Sequence, residues 1–134
     1  MHKLLAVVTL LASMTACTSD SIVGSSTVAG AYSLRTVNGA ALPYTTSGSG
    51  TNKTEVVDDT FTLYGGGTYA RTSHTRTTVN GTATTSTVND TGPYALLGTS
   101  ISLNSNNDGS QTIAIYTANT MTVVRSGVTS VYRK

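Results

Sequence analysis

Between Gly30 and Lys134 the chain alternates runs rich in Val, Ile, Thr and Tyr with turn signals. Nowhere along it do apolar residues recur at i, i+3, i+4 and i+7 over three turns. A helical core is therefore excluded, and the class is all-β. Composition agrees: Thr (27) and Ser (16) supply nearly a third of the 134 residues and only 10% are charged, whereas β-branched and aromatic side chains fit a pleated surface. A hydrophobic fraction of 38% and a mean hydropathy of +0.01 are too apolar for a disordered tail.

Strands are expected at residues 30–37, 54–64, 68–79, 82–90, 93–97, 99–103, 110–117, 120–125 and 128–133, the second with a break near Asp58-Asp59. Asn38-Gly39 and Asn80-Gly81 read as type I′ turns, because both central residues of that turn need positive φ. Gly65-Gly66-Gly67, Gly98, Asn104 to Gly109, Ala118-Asn119 and Ser126-Gly127 punctuate the rest, leaving Gly39 to Lys53 as the single long connection. Hairpin-length connections make an antiparallel meander. Eight to ten such strands remove their edges by closing into an up-and-down β-barrel.

Period-two reading gives the inward set: Tyr32 and Leu34; Phe61 and Leu63; Tyr69; Tyr94 and Leu96; Ile101 and Leu103; Ile113 and Ile115; Met121 and Val123; Tyr132. The alternate positions are mostly hydroxyl-bearing, so the apolar face turns inward and the wall meets water. An outer-membrane barrel would show the reverse.

The N terminus carries an address. Met1-His2-Lys3 is a positive start, and Leu4 to Ala12 is a nine-residue apolar run broken only by Thr9. A membrane span needs about 20 such residues, whereas an export signal needs a core of only about 7–15. Residues Thr18 to Ala29 are small and polar and read as a flexible tether with a reach on the order of 20 Å. The expected organisation is a signal peptide at 1–16, a modified Cys and tether at 17–29, and a barrel domain at 30–134.

Met14-Thr15-Ala16-Cys17 resembles the lipobox of bacterial lipoproteins, with Met14 where Leu is more usual. The resemblance implies cleavage before Cys17, a diacylglyceryl group on its thiol and an acyl chain, commonly palmitate, on the new amino terminus. Two or more chains at ~0.8 kcal/mol per buried CH₂ give stable anchoring. It also accounts for a solitary Cys in an exported chain, which has no disulfide partner. Thr18 after the Cys, rather than Asp, implies the outer membrane in a Gram-negative host.

Gly30-Ala31-Tyr32-Ser33-Leu34, then Val37-Asn38-Gly39 and Leu42-Pro43-Tyr44, with Val131-Tyr132-Arg133-Lys134 at the end, resemble lipocalin-like bacterial lipoproteins over roughly residues 28–134. Tyr32 stands where lipocalins carry Trp, and their T-D-Y motif is absent. The resemblance implies an up-and-down barrel able to enclose a small apolar ligand, with Arg133 or Arg125 covering the first-strand aromatic.

An eight-stranded barrel is either filled by side chains or holds one small ligand, and the same residues serve both outcomes. The candidate ligand-binding set is Tyr32, Phe61, Tyr69, Arg71, Tyr94 and Tyr132. Arg71 shares the parity of Tyr69 and is either an inward partner for an anionic headgroup or a rim arginine in water. Leu42, Pro43 and Tyr44 form an apolar knot in the long connection, either a lid over the mouth or a plug.

Other chemistries find little footing. After loss of Lys3, seven Lys/Arg face six Asp/Glu, so no basic field exists for nucleic acid. His74 is the only His beyond the leader, and no metal or cofactor site is expected. Asn104 to Gly109 resembles a calcium loop, but Ile115 stands where the bidentate Glu would be, so a hairpin turn is expected. A hydrolase would have to pair His74 with Asp58, Asp59 or Asp90 without any nucleophile elbow, and Glu55 near Asp58 and Asp59 reads as solubilising charge. The expectation is a non-enzymatic, monomeric, membrane-tethered barrel that binds a small hydrophobic molecule, or else a packed barrel acting as an envelope interaction module.

Overall fold

Asn38-Gly39 and Asn80-Gly81 have positive φ at both positions (50° and 79°; 50° and 82°), as do Ala118-Asn119 (46° and 65°) and Ser126-Gly127 (51° and 78°). Each joins neighbouring antiparallel strands. The computed structural model describes residues 27–134. The expected signal peptide, Cys17 and the tether up to residue 26 lie outside the described residues.

Ten strands form one antiparallel sheet: β1 (Gly30–Val37), β2 (Ala40–Ala41), β3 (Tyr44–Ser49), β4 (Asn52–Leu63), β5 (Thr68–Val79), β6 (Thr82–Leu97), β7 (Ser100–Asn104), β8 (Gln111–Thr117), β9 (Thr120–Arg125) and β10 (Val128–Arg133). β1 pairs with both β10 and β4, which closes β1 and β4 to β10 into an eight-stranded barrel. The long connection is not loop: it is β2, paired to the end of β1, and β3, paired to β4. The two strands expected at 82–90 and 93–97 are a single strand, β6. Gly92 lets it run on, because a Cβ there would collide with the carbonyl oxygen of Asn104.

Two bulges set which residues face inward. Register slips at Arg35 in β1 and at Val57 in β4. Each extra residue reverses the alternation, so Leu34 and Val37 are both buried, and the anticipated break near Asp58-Asp59 is a bulge within a continuous strand.

The buried core contains Tyr32, Leu34, Phe61, Leu63, Tyr69, Tyr94, Ile101, Leu103, Met121, Val123 and Tyr132, joined by Val28, Val37 and Ala114; Leu96 packs against it. Ile113 and Ile115 do not belong: they are 47% and 48% exposed, and Ala114 takes the inward position. Opposed residues of an antiparallel pair share a face, and Ala114 lies opposite both Ile101 and Val123. Turning the isoleucines inward would need a one-residue slip in both ladders.

The barrel has two different ends. At the lower end Val28 is wholly buried and accepts a hydrogen bond from the Tyr32 hydroxyl at 2.6 Å. Burial pushes that phenol up to about 12. Tyr116 meets the Tyr32 ring edge-on at 6.3 Å, and the Tyr94 hydroxyl donates to the Tyr64 carbonyl. The cation over the Tyr32 ring is Lys134, with Nζ 5.8 Å from its centroid, rather than Arg133 or Arg125. Gly30 leaves room for it, since a Cβ there would collide with the Lys134 stem. At the upper end β1 holds β4 only through Gly30–Ser33, and β7 holds β6 only through Tyr94–Leu97. The remaining lengths of β4, β5 and β6, with β3, therefore project beyond the barrel as a four-stranded arm.

Candidate functional site at the barrel mouth

Asp59 shares the inward parity of Phe61 and Leu63, and Arg71 lies directly opposite Phe61 across β4 and β5. Diagonal neighbours on one sheet face are within reach of a long side chain. Arg71 accordingly meets Asp59 in a fork: Nε donates to Oδ1 at 3.0 Å and Nη2 to Oδ2 at 2.6 Å. From β10, the Tyr132 hydroxyl donates to the same Oδ2 at 3.0 Å. The Arg71 guanidinium lies 5.2 Å from the Phe61 ring centroid, and Phe61 meets Tyr132 edge-on at 5.2 Å.

Electrostatics follow from burial. Asp59 is 3% exposed and its carboxylate is satisfied by the fork and the phenol. Burial works against the Arg71 charge, yet Asp59 more than offsets this and holds the guanidinium above its usual range. Burial, and then the negative charge of Asp59, raise the Tyr132 phenol well above the ordinary range. Beside this cluster, Tyr69 donates to Asp90 at 2.8 Å, as does Ser105. Burial and then Asp90 raise the Tyr69 phenol.

Two cavities open at the mouth. One of about 270 Å³ is lined by Phe61, Arg71, Thr112, Val123, Arg125, Ser126, Val128, Ser130 and Tyr132. The other, about 220 Å³, is lined by Leu34, Val37, Tyr44, Thr46, Val56, Asp59, Arg71, Ser73, Val128, Ser130 and Tyr132. They share Arg71, Val128, Ser130 and Tyr132, so the Arg71 side chain is common wall to both. Arg71 Nη1 has no hydrogen-bond partner among the described residues. Arg125, on the rim, donates to Thr112. Two guanidiniums against one buried carboxylate give the mouth a net positive bias.

The expected ligand set divides along the barrel axis. Phe61, Arg71 and Tyr132 line the mouth, whereas Tyr32 and Tyr94 belong to the filled lower end and border neither mouth cavity. Tyr69 is buried with its hydroxyl committed to Asp90. Of the expected lid, Leu42 and Tyr44 pack against the core and Pro43, after a cis peptide, is exposed. Tyr44 is the one that reaches the mouth, with its hydroxyl accepting from Asn38 at 3.2 Å. Sequence reasoning missed Val128 and Ser130, although both share the parity of Tyr132, and it read Asp59 as surface charge despite the parity of Phe61.

Outside the mouth the polar groups pair with one another. Glu55, read from the sequence as solubilising charge, is only 3% exposed: turned to the outer face of the arm by the bulge at Val57, it is covered and held by Lys53 at 2.8 Å and Arg76 at 2.8 Å, and these two donors lower its pKa in that order. His74 Nδ1 meets Asp58 at 2.5 Å on the same face, and no hydroxyl bonds its other ring nitrogen among the described residues. The Asn104 to Gly109 segment closes as a turn, with Ser105 and Ser110 bonded across it, and no cluster of three or more metal-ligating side chains occurs among the described residues. No helix among them is long and apolar enough to cross a membrane.

Comparison with protein-family models, with curated proteins and with solved structures finds no match to this chain. What stands from the likeness to lipocalin-like proteins is the architecture: a closed antiparallel eight-stranded barrel with two additional strands.

Proposed function

We propose that this barrel is a non-enzymatic binding cup for a small amphipathic molecule, tethered to the bacterial cell envelope through acylated Cys17. The carrying observation is the mouth, where Phe61, Arg71 and Tyr132 meet: its two cavities join an apolar wall to a guanidinium, whereas the shallower clefts beside Val28 and Tyr116 (about 370 Å³) and beside Tyr64 and Tyr69 (about 430 Å³) have no charged lining. Val123, Val128 and Phe61 supply an apolar wall, while Arg71 Nη1, Ser130 and Arg125 supply donors for a polar or anionic end. Small-ligand sites combine an apolar lining with few polar groups in this way. Val28, near the start of the described residues, lies at the lower end, so the segment that leads back to Cys17 enters the domain opposite the mouth.

Each cavity falls just below the roughly 300 Å³ at which drug-sized pockets begin. That observation favours a second reading, a packed envelope module with a shallow mouth. Titration of the full chain in detergent with 1-anilinonaphthalene-8-sulfonate, an apolar anion, separates the two. Saturable binding that is lost in Ser130→Phe, which puts a ring into the space that both cavities share, supports the cup, provided circular dichroism shows the variant folded; no saturable binding supports the module. The anchoring part is tested separately, by intact mass of the processed chain. A mass equal to residues 17–134 plus acyl groups, abolished by Cys17→Ser, is expected, and an unmodified Cys17 thiol would overturn it.

A further inference from the structure

The arm has two edges, and only one is defended. Natural sheets blunt edges with bulges, glycines, charges or Pro, because a row of unpaired N–H and C=O groups templates another strand. The β3 edge carries a bulge at Thr46 and a positive-φ Gly48. The opposite edge is β6, and from Thr82 to Val88 it reads Thr-Ala-Thr-Thr-Ser-Thr-Val, without a charge, a Gly or a Pro. Its register with β5 runs unbroken from Thr68↔Pro93 to Val79↔Thr82. All seven residues are exposed.

The hydrogen-bonding direction of this edge can be read from its lower end. There the β7–β8 loop covers it: Asn106 N donates to Thr91 O at 2.8 Å, and Asn107 Nδ2 donates to Asn89 O at 2.7 Å. Odd-numbered residues of β6 thus aim their backbone groups away from β5, and strand alternation assigns the same direction to Ala83, Thr85 and Thr87. Above Asn89 nothing among the described residues meets them.

We propose that the occupant of this edge is a second copy of the chain, its β6 pairing antiparallel with the first about a twofold axis at Thr85. Ala83 then faces Thr87 of the partner subunit, Thr85 faces Thr85 of the partner subunit, and each facing pair exchanges two N–H···O=C bonds. Self-pairing requires a strand compatible with its own reverse, and this one is: small hydroxyl and methyl groups oppose one another, with no like charges in contact. The two arms become one eight-stranded sheet with a barrel at either end. This replaces the monomer expected from the sequence and does not depend on the mouth holding a ligand.

Sedimentation of the full chain in detergent tests it. Wild type is expected to be dimeric in the micromolar range. Thr85→Pro removes an N–H that points away from β5, so it should yield monomer that keeps the wild-type β-sheet circular dichroism and melts at a temperature independent of concentration. Thr85→Lys and Thr85→Glu should each be monomeric, because like charges would meet at the axis, and mixing the two should restore a dimer. A wild-type monomer at all concentrations overturns the proposal. So does a dimer that survives Thr85→Pro, or, should that variant misfold, one that survives both charge variants.

Discussion

Asp59 and Arg71 form a two-pronged ion pair inside the barrel, with the carboxylate only 3% exposed and the guanidinium forming part of both mouth cavities. A buried charge is tolerated only while paired. Asp59→Ala leaves Arg71 against Phe61 without its counter-ion and should lower unfolding free energy by about 3 kcal/mol, toward the low end for buried pairs because Arg71 keeps some access to water. The double variant D59L/R71M, which removes both charges, should recover most of that loss. Urea denaturation of the three proteins, wild type included, checks it, and a double variant as unstable as Asp59→Ala would mean that packing, not charge, sets the effect.

Tyr94 is 1% exposed, borders neither mouth cavity and donates to Tyr64 O. Its removal opens a hole in the filled end, so Tyr94→Ala should cost about 3–5 kcal/mol. A loss near 1 kcal/mol, read from the urea midpoint, would indicate that the lower end is looser than its burial implies.

Gly92 and Gly66 differ in what a methyl group would meet. At Gly92 it would strike the Asn104 carbonyl, a backbone atom that cannot swing aside, whereas at Gly66 nothing lies within 4 Å. Gly92→Ala should destabilise by about 3 kcal/mol or more through overpacking, and Gly66→Ala by less than about 0.5 kcal/mol. Thermal unfolding of the pair is the measurement.

Tyr32, Tyr69 and Tyr132 have phenols raised from the ordinary value of 10.0, in each case chiefly by burial. A raised acid favours its neutral form in the folded state. The stability this contributes is complete below pH 10 and is lost as pH climbs from there through the folded values, the lowest of which is about 12 for Tyr32. Absorbance at 295 nm should therefore show the native chain, at about pH 11, short of the denatured chain by about three phenolates. Full ionisation should coincide with loss of β-sheet circular dichroism. Three phenols titrating before any such loss would contradict the described burial.

Much of the interior was legible because strand geometry has a period of two. Tyr32, Phe61, Leu63, Tyr94, Ile101, Leu103 and Met121 lie where alternation puts them. The rule failed where a neighbour mattered more than the strand itself. Ile113 and Ile115 are more apolar than Ala114, yet register against β7 and β9 turned them outward. It failed again at Val57, whose bulge puts Glu55 and Asp59 on opposite faces of β4 although both are 3% exposed. Bulges carry no residue signature in a Thr-rich strand. The mouth was legible only in parts: Phe61, Arg71 and Tyr132 were named, but the Asp59 that binds two of them was not.

By itself, the order of residues determined that this chain makes hairpins: Asn-Gly pairs and short Val, Ile, Thr and Tyr runs act locally, through φ preference and side-chain alternation. Only the tertiary structure decided that β1 would pair with β4 as well as β10, that Phe61, Arg71 and Tyr132 would meet at one mouth, and that no described residue would cover the edge of β6 above Asn89. Those outcomes depend on which strands meet at long range and in what register, and the hydrogen bonds that fix them are made by backbone groups common to every residue.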